Sequence, residues 1–156
     1  MNIKNYKIAK TVTEPLAIES FKLNGYTVNE TTINEDWNGI DAKVLDKKLN
    51  HELLFDIKSP SKENINTGFF SFQVYDYNNV HYLSKKTEYY AFMDIVENRI
   101  LCISKENLIP IINGLSLQNG RYGYQKYVLI HKDYILKHND FILYNPNLKK
   151  SYYEKS

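Results

Sequence analysis

The stretch that decides the fold is Glu52-Leu53-Leu54-Phe55-Asp56-Ile57-Lys58. On a strand, successive side chains point to opposite faces. Leu53, Phe55 and Ile57 therefore share one face, and Asp56 and Lys58 share the other. Ser59-Pro60-Ser61 ends the segment. Upstream, Gly39 to Val44 alternates in the same way, with Ile40, Ala42 and Val44 on one face and Asp41 and Lys43 on the other. The polar turn Asp46-Lys47-Lys48-Leu49-Asn50 lies between the two segments. If they pair as a hairpin, Asp41 and Asp56 become near neighbours on adjacent strands.

Residues 1–12 read as a polar lead-in. Thr13-Glu14-Pro15 reads as a helix start, with Thr13 as cap and Pro15 in the first turn, where no amide partner is needed. Leu16, Ala17, Ile18, Phe21 and Leu23 are its apolar positions, and Gly25 stops it. Tyr26 to Ile33 is rich in β-branched residues and reads as extended. Residues 62–68 read as a loop and residues 72–84 as a second helix. Tyr89 to Val96 and Arg99 to Ile103 form a hairpin turning at Glu97-Asn98. Glu106 to Ile112 is a short helix ending near Gly114, and Tyr127 to His131 a late strand. Residues 133–144 carry no decisive pattern. The class is α/β, in the order αβββαβ, with a mixed central sheet flanked by helices. No repeat or Gly/Ser-rich linker interrupts it, so one domain is expected over 1–156, with a core at about 13–103 and accessory elements over 104–156.

Composition narrows the function. A chain of 156 residues has room for one core and too little for two. Hydrophobic residues at 43% and charged residues at 24% argue against wholesale disorder. A net charge of +2 excludes a polycation that holds nucleic acid by bulk charge. Residues 1–78 hold 9 basic and 11 acidic side chains, and residues 79–156 hold 11 and 7. That places the acidic centre in the first half and a mildly basic surface in the second. The single cysteine, Cys102, excludes an intrachain disulfide and argues against a cysteine zinc site. No apolar run reaches the ~20 residues of a membrane helix, and the first residues lack the apolar core of a signal peptide. A soluble cytoplasmic protein with no membrane partner is expected.

The chemistry rests on Asp41, Asp56 and Lys58. A lysine and an aspartate on an apolar-flanked strand lose hydration unless they serve each other or a metal. Two adjacent carboxylates repel unless a divalent cation lies between them. A hard cation such as Mg2+ (or Mn2+) prefers oxygen ligands and keeps waters, one of which serves as nucleophile. Lys58 would orient that water or neutralise a phosphate. A lone Asp-x-Lys on a strand is otherwise a solvated face or a surface ion pair, so the whole set carries the reading.

Gly39-Ile40-Asp41 followed by Asp56-Ile57-Lys58 resembles the PD-(D/E)XK nuclease superfamily. The preceding helix sharpens the likeness. Holliday-junction-resolvase-like members often read E-x-x-A-x-x-x-L-x-x-x-G-Y, and Glu14, Ala17, Phe21, Gly25 and Tyr26 stand at that spacing. The motif departs from the family name in lacking its Pro, and Asp56 replaces the commoner Glu. The resemblance implies a restriction-endonuclease-like core over roughly residues 13–103. It implies a Mg2+-dependent DNA endonuclease, a phosphodiester hydrolase, with Asp41, Asp56, the Ile57 carbonyl and Glu14 on the metal. Lys58 would be catalytic, and Gln73 is the candidate for the polar residue that members place on the next helix. Glu14 is read equally well as a first-turn carboxylate favoured by the helix dipole. A homodimer is implied, because duplexes and junctions offer two strands to cut. The Asn, Lys and Ile bias suits a phage, plasmid or other mobile element of an AT-rich host.

Trp37, Lys85 and Lys86 are candidate nucleic-acid contacts, although Trp37 reads more readily as packing and paired lysines as plain surface. The four histidines make no zinc-hydrolase or HNH pattern, and no phosphate-binding Gly-rich loop occurs. The alternative is a catalytically inactive nuclease-fold protein that binds DNA or inhibits a protein partner.

Overall fold

The structure, a computed structural model, describes residues 8–75, 80–120 and 125–156, apart from the side chains of Ala9, Trp37 and Ser84. A π-helical turn over Ala9–Thr13 runs directly into helix α1, Glu14–Leu23. Thr13 therefore does not cap the helix with its side chain. Its backbone is already helical, and the residue is buried. Gly25 ends the run at φ +89°, a conformation that costs most residues steric energy.

Strand β1 is short, Thr27–Asn29. The extended reading of residues 26–33 stops there because Thr32 leaves the strand to cap helix α2, Ile33–Trp37. The Thr32 side chain accepts from the Glu35 amide at 3.1 Å, and the Glu35 carboxylate accepts from the Thr32 amide at 2.9 Å. This reciprocal box satisfies two amides that the helix end would leave unpaired. Strands β2, Ala42–Asp46, and β3, His51–Lys58, then form the expected hairpin, with Ala42 opposite Phe55. Asn50 takes positive φ at the turn.

The helix expected over 72–84 is a correction. The chain instead forms strand β4, Phe69–Tyr75, and a single 3-10 turn, Tyr82–Ser84. Phe70, Phe72 and Val74 are buried while Phe69 and Ser71 are exposed, the period of two that defines a half-buried strand. The αβββαβ order consequently has a strand where the second helix was expected.

Next come the hairpin β5, Tyr89–Asp94, with β6, Arg99–Ser104, and helix α3, Lys105–Asn113. Strand β7, Gln118–Asn119, strand β8, Lys126–His131, and helix α4, Lys132–His138, follow. The undecided stretch 133–144 is divided between α4 and strand β9, Phe141–Tyr144. Helix α5, Leu148–Lys155, closes the chain.

Among the described residues the fold is mixed α/β in layers. The main sheet has the order β1-β2-β3-β5-β6-β9, and a smaller sheet the order β4-β8-β7. Among the described residues only the β3–β5 pair is parallel. A parallel pair needs a crossover, and this one carries β4 across the sheet. One face of the main sheet meets α1 and α5 through Phe21, Leu16, Phe55, Met93 and Tyr152. The other face, through Tyr90, Phe92, Leu101 and Ile103, meets β4, β8, α3 and α4. No helix among the described residues is long and apolar enough to cross a membrane.

Candidate active site

Strand register builds the site. Ala42 pairs with Phe55, and the Asp41 amide donates to the Phe55 carbonyl at 2.8 Å. Asp41 therefore stands at the head of β2, across from Asp56 near the end of β3. Apolar side chains take the α1 side of both strands, with Ala42, Val44, Leu53 and Phe55 all buried there. Asp41, Asp56 and Lys58 must take the other face.

Gly39 sets how the chain enters β2. It lies at φ +83°, and its carbonyl accepts from the Thr87 hydroxyl at 2.7 Å. A Cβ on this residue would stand 3.0 Å from that hydroxyl. The glycine thus allows both the turn and the close approach that precede Asp41. One Asp41 oxygen, Oδ2, accepts from the Ile57 amide at 2.8 Å, which locks the carboxylate over the end of β3.

Glu14 reaches the same place from α1. Single oxygens of Glu14, Asp36 and Asp41 all lie within 4.8 Å of one another. Asp36 comes from α2, a helix that the sequence pattern does not predict, and is not among the residues expected at the site. The Thr32–Glu35 capping box was the signal available for that helix. Lys10 was missed as well, because residues 1–12 read as lead-in. Its ammonium lies 2.7 Å from Asp36 Oδ1, 3.2 Å from Glu14 Oε1 and 3.9 Å from Asp41 Oδ1. The i, i+4 spacing of Lys10 and Glu14 was its trace in the sequence.

On the other side of Asp56, Lys58 Nζ stands 3.1 Å from Asp56 Oδ2 and 5.3 Å from the centre of the Phe72 ring. Burial pulls the Lys58 ammonium toward neutrality, but Asp56 and Asp41 outweigh it and hold its pKa above the ordinary lysine value. Lys58 is thus a fixed positive charge. Asp41 is pushed the opposite way for a carboxylate, up to about 10, first by burial and then by the neighbouring Asp56 and Glu14.

Gln73 lies on β4 rather than on a helix, yet it lines the cleft that Asp56, Lys58, Asp36 and Lys85 share, with a volume of about 320 Å³. Its Nε2 is buried and has no hydrogen-bond partner among the described residues. Ile57 buries its side chain toward α1. Lys85 borders the cleft and Lys86 is exposed beside it. Trp37 ends α2, next to Asp36, and its side chain lies outside those described. A larger cleft of about 390 Å³, between α3 and α4, is lined by Pro110, Ile111, Leu115 and Tyr134 and carries no acidic side chain.

An all-oxygen donor set that is crowded, half-buried and mutually repulsive fits a hard divalent cation. The crowding also has a measurable cost. Asp41 binds its proton more tightly in the folded chain than in the unfolded one. Below about pH 4 both states hold the proton, and between about pH 4 and about pH 10 the unfolded state holds fewer. This group's contribution to stability is therefore lost as pH rises. In chelator, Asp41→Asn, which keeps an oxygen for the Ile57 amide, is expected to stabilise the protein by about 1–2 kcal/mol at neutral pH. It should also flatten the decline in urea-unfolding free energy between about pH 6 and about pH 9. A variant less stable than wild type, with the same pH slope, would show that Asp41 is not under this strain.

Compared with family models, curated proteins and solved structures, the chain matches none of them.

Proposed function

We propose that the protein is a metal-dependent DNA endonuclease of the restriction-endonuclease-like kind. The observation that carries this reading is the register of β2 and β3. It sets Asp41 opposite Asp56 and puts Lys58 on the same face, while Glu14 reaches Asp41 from α1. The succession of α1, β1, β2 and β3, and then β5 parallel to β3, supports the fold assignment, with the short α2 inserted between β1 and β2 and β4 inserted in the crossover.

Asp41, Asp56 and Glu14, with the Ile57 carbonyl, would hold Mg2+ or Mn2+. When bound, such an ion supplies Lewis acidity and lowers the pKa of a water. The chain's own residues do the rest. The Ile57 amide fixes the Asp41 carboxylate, and Phe72 and Asp56 fix the Lys58 ammonium. That ammonium meets negative charge developing on a phosphate. Gln73 offers a donor to the same cleft. Lys85, which borders the cleft, and its neighbour Lys86 would contact the DNA backbone, Trp37 would contact a base, and a homodimer would present two such sites.

One observation favours a second reading. Lys10 already sets a cation among three of the carboxylates, as an inactive DNA-binding or inhibitory protein would. Incubating the purified protein with supercoiled plasmid and with a four-way junction separates the two. Cleavage of either DNA with Mg2+, abolished by chelator, supports the nuclease. Binding without cleavage supports the inactive protein.

A further inference from the structure

The surroundings of Lys10 differ from those of an ordinary surface lysine. Its carrier is a π-helical turn, a rare backbone form that recurs at functional sites. That turn sets Lys10 one helical turn before Glu14, and the ammonium bridges Glu14 on α1, Asp36 on α2 and Asp41 at the head of β2. Carboxylates from three elements thus meet on one side-chain cation. About a third of the Lys10 side chain, 31%, is exposed, so the ammonium has a path outward.

We propose that Lys10 is a tethered cation that holds the carboxylates together before metal arrives and is displaced when a divalent ion binds. This rests on the nuclease reading above, because it requires Asp41 and Glu14 to be metal ligands. The physics is direct. An ammonium donates hydrogen bonds and has no lone pair, so it cannot join the ion's ligands. Like charges a few Å apart repel, and so Lys10 must leave Glu14 and Asp41 as the ion takes them. Asp36, at 2.7 Å the nearest of the three carboxylates, is the one that can keep the ammonium once the other two are engaged. Lys10 thereby lowers the affinity for metal and sets a threshold concentration below which the site stays closed.

Two measurements test this. The first is calorimetric titration of metal-free wild type and Lys10→Met with Mn2+. Lys10→Met should bind at least about tenfold more tightly. The second uses wild type alone, which removes any question of a misfolded variant. Acylation of lysines, read by mass spectrometry, should rise severalfold at Lys10 when Mn2+ is added and stay constant at the exposed Lys149. Equal or weaker binding by Lys10→Met, or Lys10 labelling that does not rise in metal-loaded protein, overturns the displacement while leaving the nuclease reading standing. No Mn2+ binding by either protein overturns both.

Discussion

Asp56→Asn should reduce Mg2+-dependent DNA cleavage at least about a hundredfold while leaving the protein folded. Asn keeps the shape of the side chain and an oxygen for Lys58, 3.1 Å away, but removes the charge that a divalent ion requires. Asp56 faces away from the α1 core, and its strand neighbours Phe55 and Ile57 stay where they are. A supercoiled-plasmid assay across a range of Mg2+ concentrations reads the loss, and circular dichroism verifies the fold. High Mg2+ that restores full cleavage would mean weakened metal affinity. Cleavage equal to wild type at every concentration would remove Asp56 from the site.

Phe55→Ala, one residue away on the opposite face, should act in the contrary manner, with an unfolding cost of about 3–5 kcal/mol. Phe55 is fully buried. Its ring meets Phe21 of α1 edge-on at 4.9 Å and stacks on Tyr89 of β5 at 5.3 Å. It therefore joins the helix to two central strands, and its removal leaves a cavity that none of these rigid elements can fill. Urea unfolding should show a lower midpoint with an unchanged slope. A loss under about 1 kcal/mol would mean that α1 is not packed on this strand as described. Taken together, the two substitutions contrast the two faces of β3, with the proposed site on one and cohesion on the other.

That contrast was legible in the sequence because a strand obeys a strict period of two. Once 52–58 is a strand, Leu53, Phe55 and Ile57 must separate from Asp56 and Lys58. The α1 helix was equally legible through Pro15, its apolar spacing and Gly25. Three features were not. Residues 69–75 alternate as a strand does and their aromatic and β-branched content favours one, so the helix expected over 72–84 placed Gln73 on the wrong kind of element. Helix α2 has only five residues, too few for a helical period to show, and with it Asp36 was lost. Lys10 was lost because its importance is tertiary. Only folding brings it to Asp36 and Asp41, 26 and 31 positions away in the chain.

The carboxylate cluster is most directly tested by a crystal of the wild-type protein soaked in Mn2+ and measured near the manganese absorption edge. An anomalous peak should lie between Asp41 and Asp56, within reach of Glu14, with the Lys10 ammonium turned away from Glu14 and Asp41. A map with no peak there, and Lys10 still seated among Glu14, Asp36 and Asp41, would contradict both the metal site and the chemistry assigned to it.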